Sequence, residues 1–216
     1  MFQLFLKGGP IMGPILLISI IALTVVIERI IFLLLEAKNS NPKTVNAMLA
    51  AAEHDDYEKA WKLGAASKDF IARVLTYGLA HRATSLSEAL LQAANRELYR
   101  FNRGLAILDT IITLAPLLGL LGTVTGMIHA FSLLGNNELN APTAITGGIA
   151  EALIATAFGL SVAIVALIPF NYLNSRLEKA RLQIQDAASF LELCLLKRLP
   201  PSTSQPLNSF HADSIS

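Results

Sequence analysis

Three side chains in this sequence sit where their chemistry demands a reason: the carboxylate of Glu151 and the hydroxyls of Thr123 and Thr156, all within long apolar runs. A charged residue at the centre of a membrane helix costs ~2.5 to 3.5 kcal/mol on the insertion scale for Asp, Lys or Arg. Such an acid must face a cavity or a partner. A hydroxyl both donates and accepts hydrogen bonds, so an acid with two threonines at similar depth suits ion coordination or proton relay. The plainer reading is an acid bonded to a neighbour for structure and threonines bonded to the preceding helical turn. Thr110, Thr113, Thr125, Thr146 and Ser161 fall under that plainer reading. His129 can titrate but reads as structural, and Asp109 is explained by the helix dipole alone. No phosphate-binding glycine loop, metal-ligand spacing or nucleophile triad is visible, so we expect no catalytic residue, no metal and no cofactor.

These side chains need helices to hold them. The 216 residues are 53% hydrophobic and 15% charged, with the apolar residues in long blocks, which points to a membrane protein. A span needs ~20 apolar residues, and three blocks qualify: residues 11–35, 105–134 and 146–173. The first is longer than a signal-peptide core and lacks a small-residue cleavage site, so it is expected to stay in the mature chain. Its pair Glu28-Arg29 reads as interfacial, reaching headgroups or pairing with each other. The single cysteine, Cys194, allows no disulfide within one chain. A net charge of +1 gives no reason to expect nucleic acid as a partner.

Small residues recur three or four apart in the later spans: Ala115, Gly119, Gly122 and Gly126 in the second, Gly148, Ala152, Ala155, Gly159, Ala163 and Ala166 in the third. Such stripes let helix backbones approach closely. With the third helix starting near Pro142, Glu151 lies about nine residues in, or ~14 Å. Thr123 and Thr156 lie about eleven and fourteen residues from the outer ends of their helices, hence at similar depth if the pair is antiparallel.

Lys and Arg outside the spans set the orientation. One, Lys7, precedes the first span, ten fall in 36–104, none in 135–145 and five after Leu173. The positive-inside rule then puts 36–104 and the C-terminus in the cytoplasm. The expected organisation is a periplasmic segment 1–10, spans 11–35, 105–134 and 146–173, a cytoplasmic helical segment 36–104, a periplasmic loop 135–145, a cytoplasmic helix 174–199 and a disordered tail 200–216. Helix starts are expected at Asn41-Pro42 and at Ser85, three residues before Glu88. The apolar spacing from Leu86 to Leu105 suggests a helix running straight into the second span, and the stripe from Leu177 to Leu195 extends the third.

Taken together, Ala115-Pro116-Leu117-Leu118-Gly119-Leu120-Leu121-Gly122-Thr123-Val124 and Gly148-Ile149-Ala150-Glu151-Ala152-Leu153-Ile154-Ala155-Thr156-Ala157-Phe158-Gly159-Leu160 resemble the MotA/TolQ/ExbB proton channel family. The opening Gly8-Gly9-Pro10-Ile11-Met12 with Glu28-Arg29 looks most like its ExbB branch. The resemblance implies an all-α membrane protein of the bacterial inner membrane, forming a homo-oligomeric ring, pentameric in the family. It also implies an ExbD-like or TolR-like single-span partner supplying an aspartate, and a TonB-like protein that is energised for outer-membrane active transport. By the family's motif, Thr123, Glu151 and Thr156 are similar to its functional positions. A ring is also what geometry asks for, since three helices cannot enclose a second protein's helices whereas a closed cyclic assembly can. One charge crossing 100 mV supplies ~2.3 kcal/mol. A TolQ-like role in envelope maintenance, a partner-independent transporter and a membrane scaffold stand as alternatives.

Overall fold

The computed structural model describes residues 8–134 and 141–197, with side chains over 8–132 and 145–197. The described residues are helical, with no strands among them: α1 Met12–Asn39, α2 Pro42–Glu53, α3 Tyr57–Ala65, α4 Phe70–Ala80, α5 Leu86–Asn102, α6 Leu105–Leu134 and α7 Ala141–Leu196. They form two compact units. One takes the chain up to Ser40 together with Asn95–Leu182, the other Asn41–Ala94 together with the chain from Gln183.

Among the described residues three stretches are long and apolar enough to cross a membrane, Met12–Asn39, Leu86–Ser132 and Ile145–Leu196. A spanning segment in lipid must satisfy its own backbone hydrogen bonds, which a helix does. Each helix buries only a narrow stripe. On α1 this is Met12, Ile15, Ala22, Arg29 and Glu36, spaced by three and then by sevens, while Leu17, Leu23 and Leu34 are exposed. Those outward faces suit acyl chains.

The junction of α5 and α6 departs from the continuous helix expected there. The helix stops at Asn102 and restarts at Leu105, because Gly104 takes a φ of +83°, a left-handed conformation that glycine adopts without steric cost. A methyl at Gly104 would stand 3.0 Å from Val25 Cγ1, so α1 also presses on this break. Helix likewise begins at Ala141, inside the stretch read as an outer loop. Residues 135–140 of that loop, and the tail from 198, lie outside the described residues.

Beside the break, the Glu28-Arg29 pair has a larger role than the interfacial one expected. Arg29 is 3% exposed. It pairs with Glu28, donates through Nη1 to the Arg100 carbonyl at 2.9 Å and places its guanidinium 4.8 Å from the Phe32 ring centroid. Arg100 in turn donates to Glu97 at 2.6 Å and lies 3.8 Å from the Glu36 carboxylate. This charged knot ties α1 to α5.

The second unit is built differently, with side-chain caps and a core of larger apolar residues. Asn41 accepts from the Thr44 amide at 3.3 Å with Pro42 in the first turn, and Asp56 accepts from the Lys59 amide at 3.0 Å. The Glu88 amide donates to Ser85 Oγ at 3.4 Å. Asp69, fully buried, accepts from the Ile71 amide at 2.8 Å and, through its other oxygen, from the Asn41 amide at 2.7 Å, so one carboxylate caps α4 and anchors the entry to α2. Met48, Val74, Leu75, Leu79 and Leu90 are fully buried in this unit. Burial, with the Glu53 charge adding to it, pushes the half-buried Cys194 thiol up from its ordinary range. That makes Cys194 a packing residue rather than a reactive one.

Candidate ion-conducting site

The seam between α6 and the first part of α7 is made of small residues. A methyl added at Gly159 would stand 2.5 Å from the Ala115 carbonyl oxygen, and one at Gly119 would stand 3.0 Å from Thr156 Cα. Along the same seam Gly122 meets Ala155, Gly126 meets Ala152 and Gly148 meets Ala130. The partner numbers fall on α7 as they rise on α6, so the helices are antiparallel. Backbones this close leave no room for any side chain larger than Ala at the contact points.

Thr156 uses that closeness. Its Oγ1 donates to the Gly119 carbonyl at 2.9 Å, a bond between the two helices. In an α-helix that carbonyl also pairs with the amide four residues on, that of Thr123. The Thr123 hydroxyl donates to the Leu120 carbonyl of its own helix at 2.7 Å. Thr123 also lines an open groove of about 630 Å³ with Val124, Met127, Ile128, Phe131 and Ser132. The hydroxyls of Thr110, Thr113, Thr125 and Ser161 all bond the preceding turn.

Glu151 is placed elsewhere around the helix. At about 100° per residue it points ~140° away from Thr156, so the two flank the small-residue stripe on opposite sides. Its carboxyl lies against the turn that leads into α1: a methyl at Gly9 would stand 1.7 Å from Glu151 Oε1, and one at Gly8 would stand 3.1 Å from Ile154. Gly9 has a φ of +72°. The described residues make no hydrogen bond or ion pair to Glu151, which is half-buried. Within one chain, then, the Thr156 hydroxyl reaches across to the Gly119 carbonyl, the Thr123 hydroxyl stays on its own helix, and Glu151 lies on the other flank of the stripe from Thr156.

Among the described residues no three His, Cys, Asp or Glu side chains gather as a metal site. What is present is a lone acid on a small-residue helix pair with a hydroxyl bridging the helices. Residues 66–186 match the MotA/TolQ/ExbB proton channel family, more than half the chain. The chain belongs to that family. A putative biopolymer transport protein, ExbB-like 1, of Synechocystis sp. is 42% identical over 181 residues, covering 79% of this chain and 69% of that protein. ExbB-like 3 of the same organism is 33% identical over 193 residues, covering 87% and 91%. The Tol-Pal system protein TolQ of Haemophilus influenzae is 38% identical over 104 residues, covering 48% and 44%.

The family match takes in Thr123, Glu151, Thr156 and the seam glycines but stops short of Gly9 and Arg29. Reading the sequence did not single out Gly9 as a neighbour of Glu151. Gly8-Gly9-Pro10 ahead of an apolar run signals a turn, yet nothing local says which distant side chain the turn will meet.

Proposed function

We propose that this chain is the ring-forming subunit of a proton-driven motor of the ExbB type in a bacterial inner membrane. In this reading several copies, five by likeness to the family, surround the spans of an ExbD-like partner, with the N-terminus in the periplasm and the basic segments in the cytoplasm. Protons crossing at the ring interior do conformational work, and a TonB-like protein carries that work to outer-membrane transporters. The observation that carries the proposal is Glu151: a half-buried acid in an apolar helix, with no bond from the described residues to occupy it. Thr156 and Thr123 serve the same path from the neighbouring side of the seam. In a ring, the two flanks of one chain's helix pair face different neighbours, so Glu151 of one copy and the threonines of another can line one passage.

A TolQ-like role is the second reading, and the Haemophilus influenzae TolQ likeness favours keeping it. The ExbB branch ranks first because the ExbB-like relatives align over most of the chain, whereas TolQ aligns over 48% of it. The test is Glu151→Ala in the intact complex, with partner-dependent siderophore uptake measured in cells. Uptake should be lost. Uptake at the wild-type rate would remove the proposal, and intact uptake with a leaky outer envelope would move the chain to the TolQ reading.

A further inference from the structure

The geometry points to Gly9 as the positioning residue for Glu151: the Gly9 turn at the entry to α1 forms a seat on which the carboxyl rests, and it sets where the acid points and which side of it is closed. The inference rests on the proposed role of Glu151 as the proton-carrying group and adds a residue to it.

Two observations meet here. The first is contact, since the space where any other residue at position 9 would put its Cβ is filled by the Glu151 carboxyl, 1.7 Å away for Oε1 and 2.7 Å for Cδ. The second is conformation: Gly9 has a φ of +72°, and the turn is closed by the Met12 amide donating to the Gly9 carbonyl at 3.2 Å and the Gly13 amide donating to the Pro10 carbonyl at 3.3 Å. A left-handed glycine followed by proline makes a stiff corner, and Gly8 beneath it packs on Met12 and Ile154. The start of α1 therefore lies level with Glu151 and covers it. In addition, α1 has no acid in its first turn and no side-chain cap.

What a methyl at position 9 would displace is the tip of a flexible side chain rather than a backbone atom. The acid should move while the helices stay, with alanine adding a backbone strain at the left-handed φ of +72° that the double variant shares. In vesicles carrying the complex with its single-span partner, proton flux per assembled complex is compared for wild type, Gly9→Ala, Gly13→Ala and Glu151→Gln. Gly13 lies four residues along with nothing within 4 Å of an added methyl, so its variant should conduct as wild type does. Gly9→Ala should lower flux by about tenfold or more, the scale on which a small displacement of a reacting group acts. Combining Gly9→Ala with Glu151→Asp, whose shorter side chain clears the methyl, should bring flux back to at least the level of Glu151→Asp alone, a non-additive pair.

Gly9→Ala conducting like wild type overturns the inference and leaves the channel reading standing. Glu151→Gln conducting like wild type instead overturns the channel reading itself. If Gly9→Ala fails to assemble, the double variant decides: assembly regained with Glu151→Asp supports the seat, and assembly still lost overturns it.

Discussion

Arg29 and Glu151 are both ionisable residues on apolar helices of the same unit, and their surroundings differ. Arg29 is 3% exposed and multiply bonded, with Glu28 beside it, the Arg100 carbonyl at 2.9 Å and the Phe32 ring beneath it. About 26 Å back along α1, Glu151 rests against the Gly9 turn with no bond from the described residues. A buried charge held by several partners ties helices together, because releasing it costs those partners at once. An acid that is touched without being bonded keeps its proton-accepting capacity free. On the proposed function, the difference separates a fastening from a working group within one fold.

The strongest way to break this comparison is to neutralise each group and read two quantities. Glu151→Gln should cut proton flux by about a hundredfold or more, the usual scale for losing an essential acid–base group, while thermal stability of the complex does not fall. Arg29→Met should do the reverse: stability drops by about 2 kcal/mol, the scale of losing a hydrogen bond from a charged group, while flux per complex that remains assembled stays near wild type. If Arg29→Met abolished flux in fully assembled complexes, or Glu151→Gln unfolded them, the division between fastening and working group would be wrong.

A smaller effect tests the seam that carries Glu151. Gly159→Ala drives a methyl to within 2.5 Å of the Ala115 carbonyl oxygen, and a backbone atom cannot step aside as a side-chain tip can. We expect a loss of about 2 kcal/mol from overpacking, seen as a lower unfolding temperature in detergent. Gly13→Ala, with open space around it, serves as the neutral reference.

The contrast between these regions also marks what could be read from residues alone. The spans were legible because ~20 apolar residues in a row have few other uses, and the seam because Gly119, Gly122 and Gly126 share a helix face with Ala115. The caps at Asn41 and Ser85 were legible from residue type and spacing. The break at Gly104 was missed since apolar periodicity from Leu86 to Leu105 carries across it, although the glycine itself was the available signal. Arg29 with Arg100 and Gly9 with Glu151 were out of reach, being contacts between residues 71 and 142 positions apart whose pairing is decided by tertiary packing. The ~140° between Glu151 and Thr156 was computable from the start. Similar depth had suggested a common lining, and depth alone says nothing about direction around the helix.

The two threonines give the finest test, because the structure assigns their hydroxyls different bonds. Thr156 Oγ1 bridges to Gly119 on the other helix at 2.9 Å, whereas Thr123 Oγ1 bonds Leu120 on its own helix at 2.7 Å. Replacing Thr156 with Val keeps the shape and removes a bond between helices, worth ~0.6 kcal/mol on average inside membranes. Thr123→Val removes a bond that merely competes within one helix, so its stability change should be smaller still. Flux then sorts their roles: if both hydroxyls serve the path, each Val variant conducts less than its stability change accounts for, and Thr156→Ser and Thr123→Ser restore conduction. Should Thr156→Val lower stability and leave flux per complex unchanged, Thr156 belongs with Arg29 as a fastening, and the path runs past Glu151 and Thr123 without it.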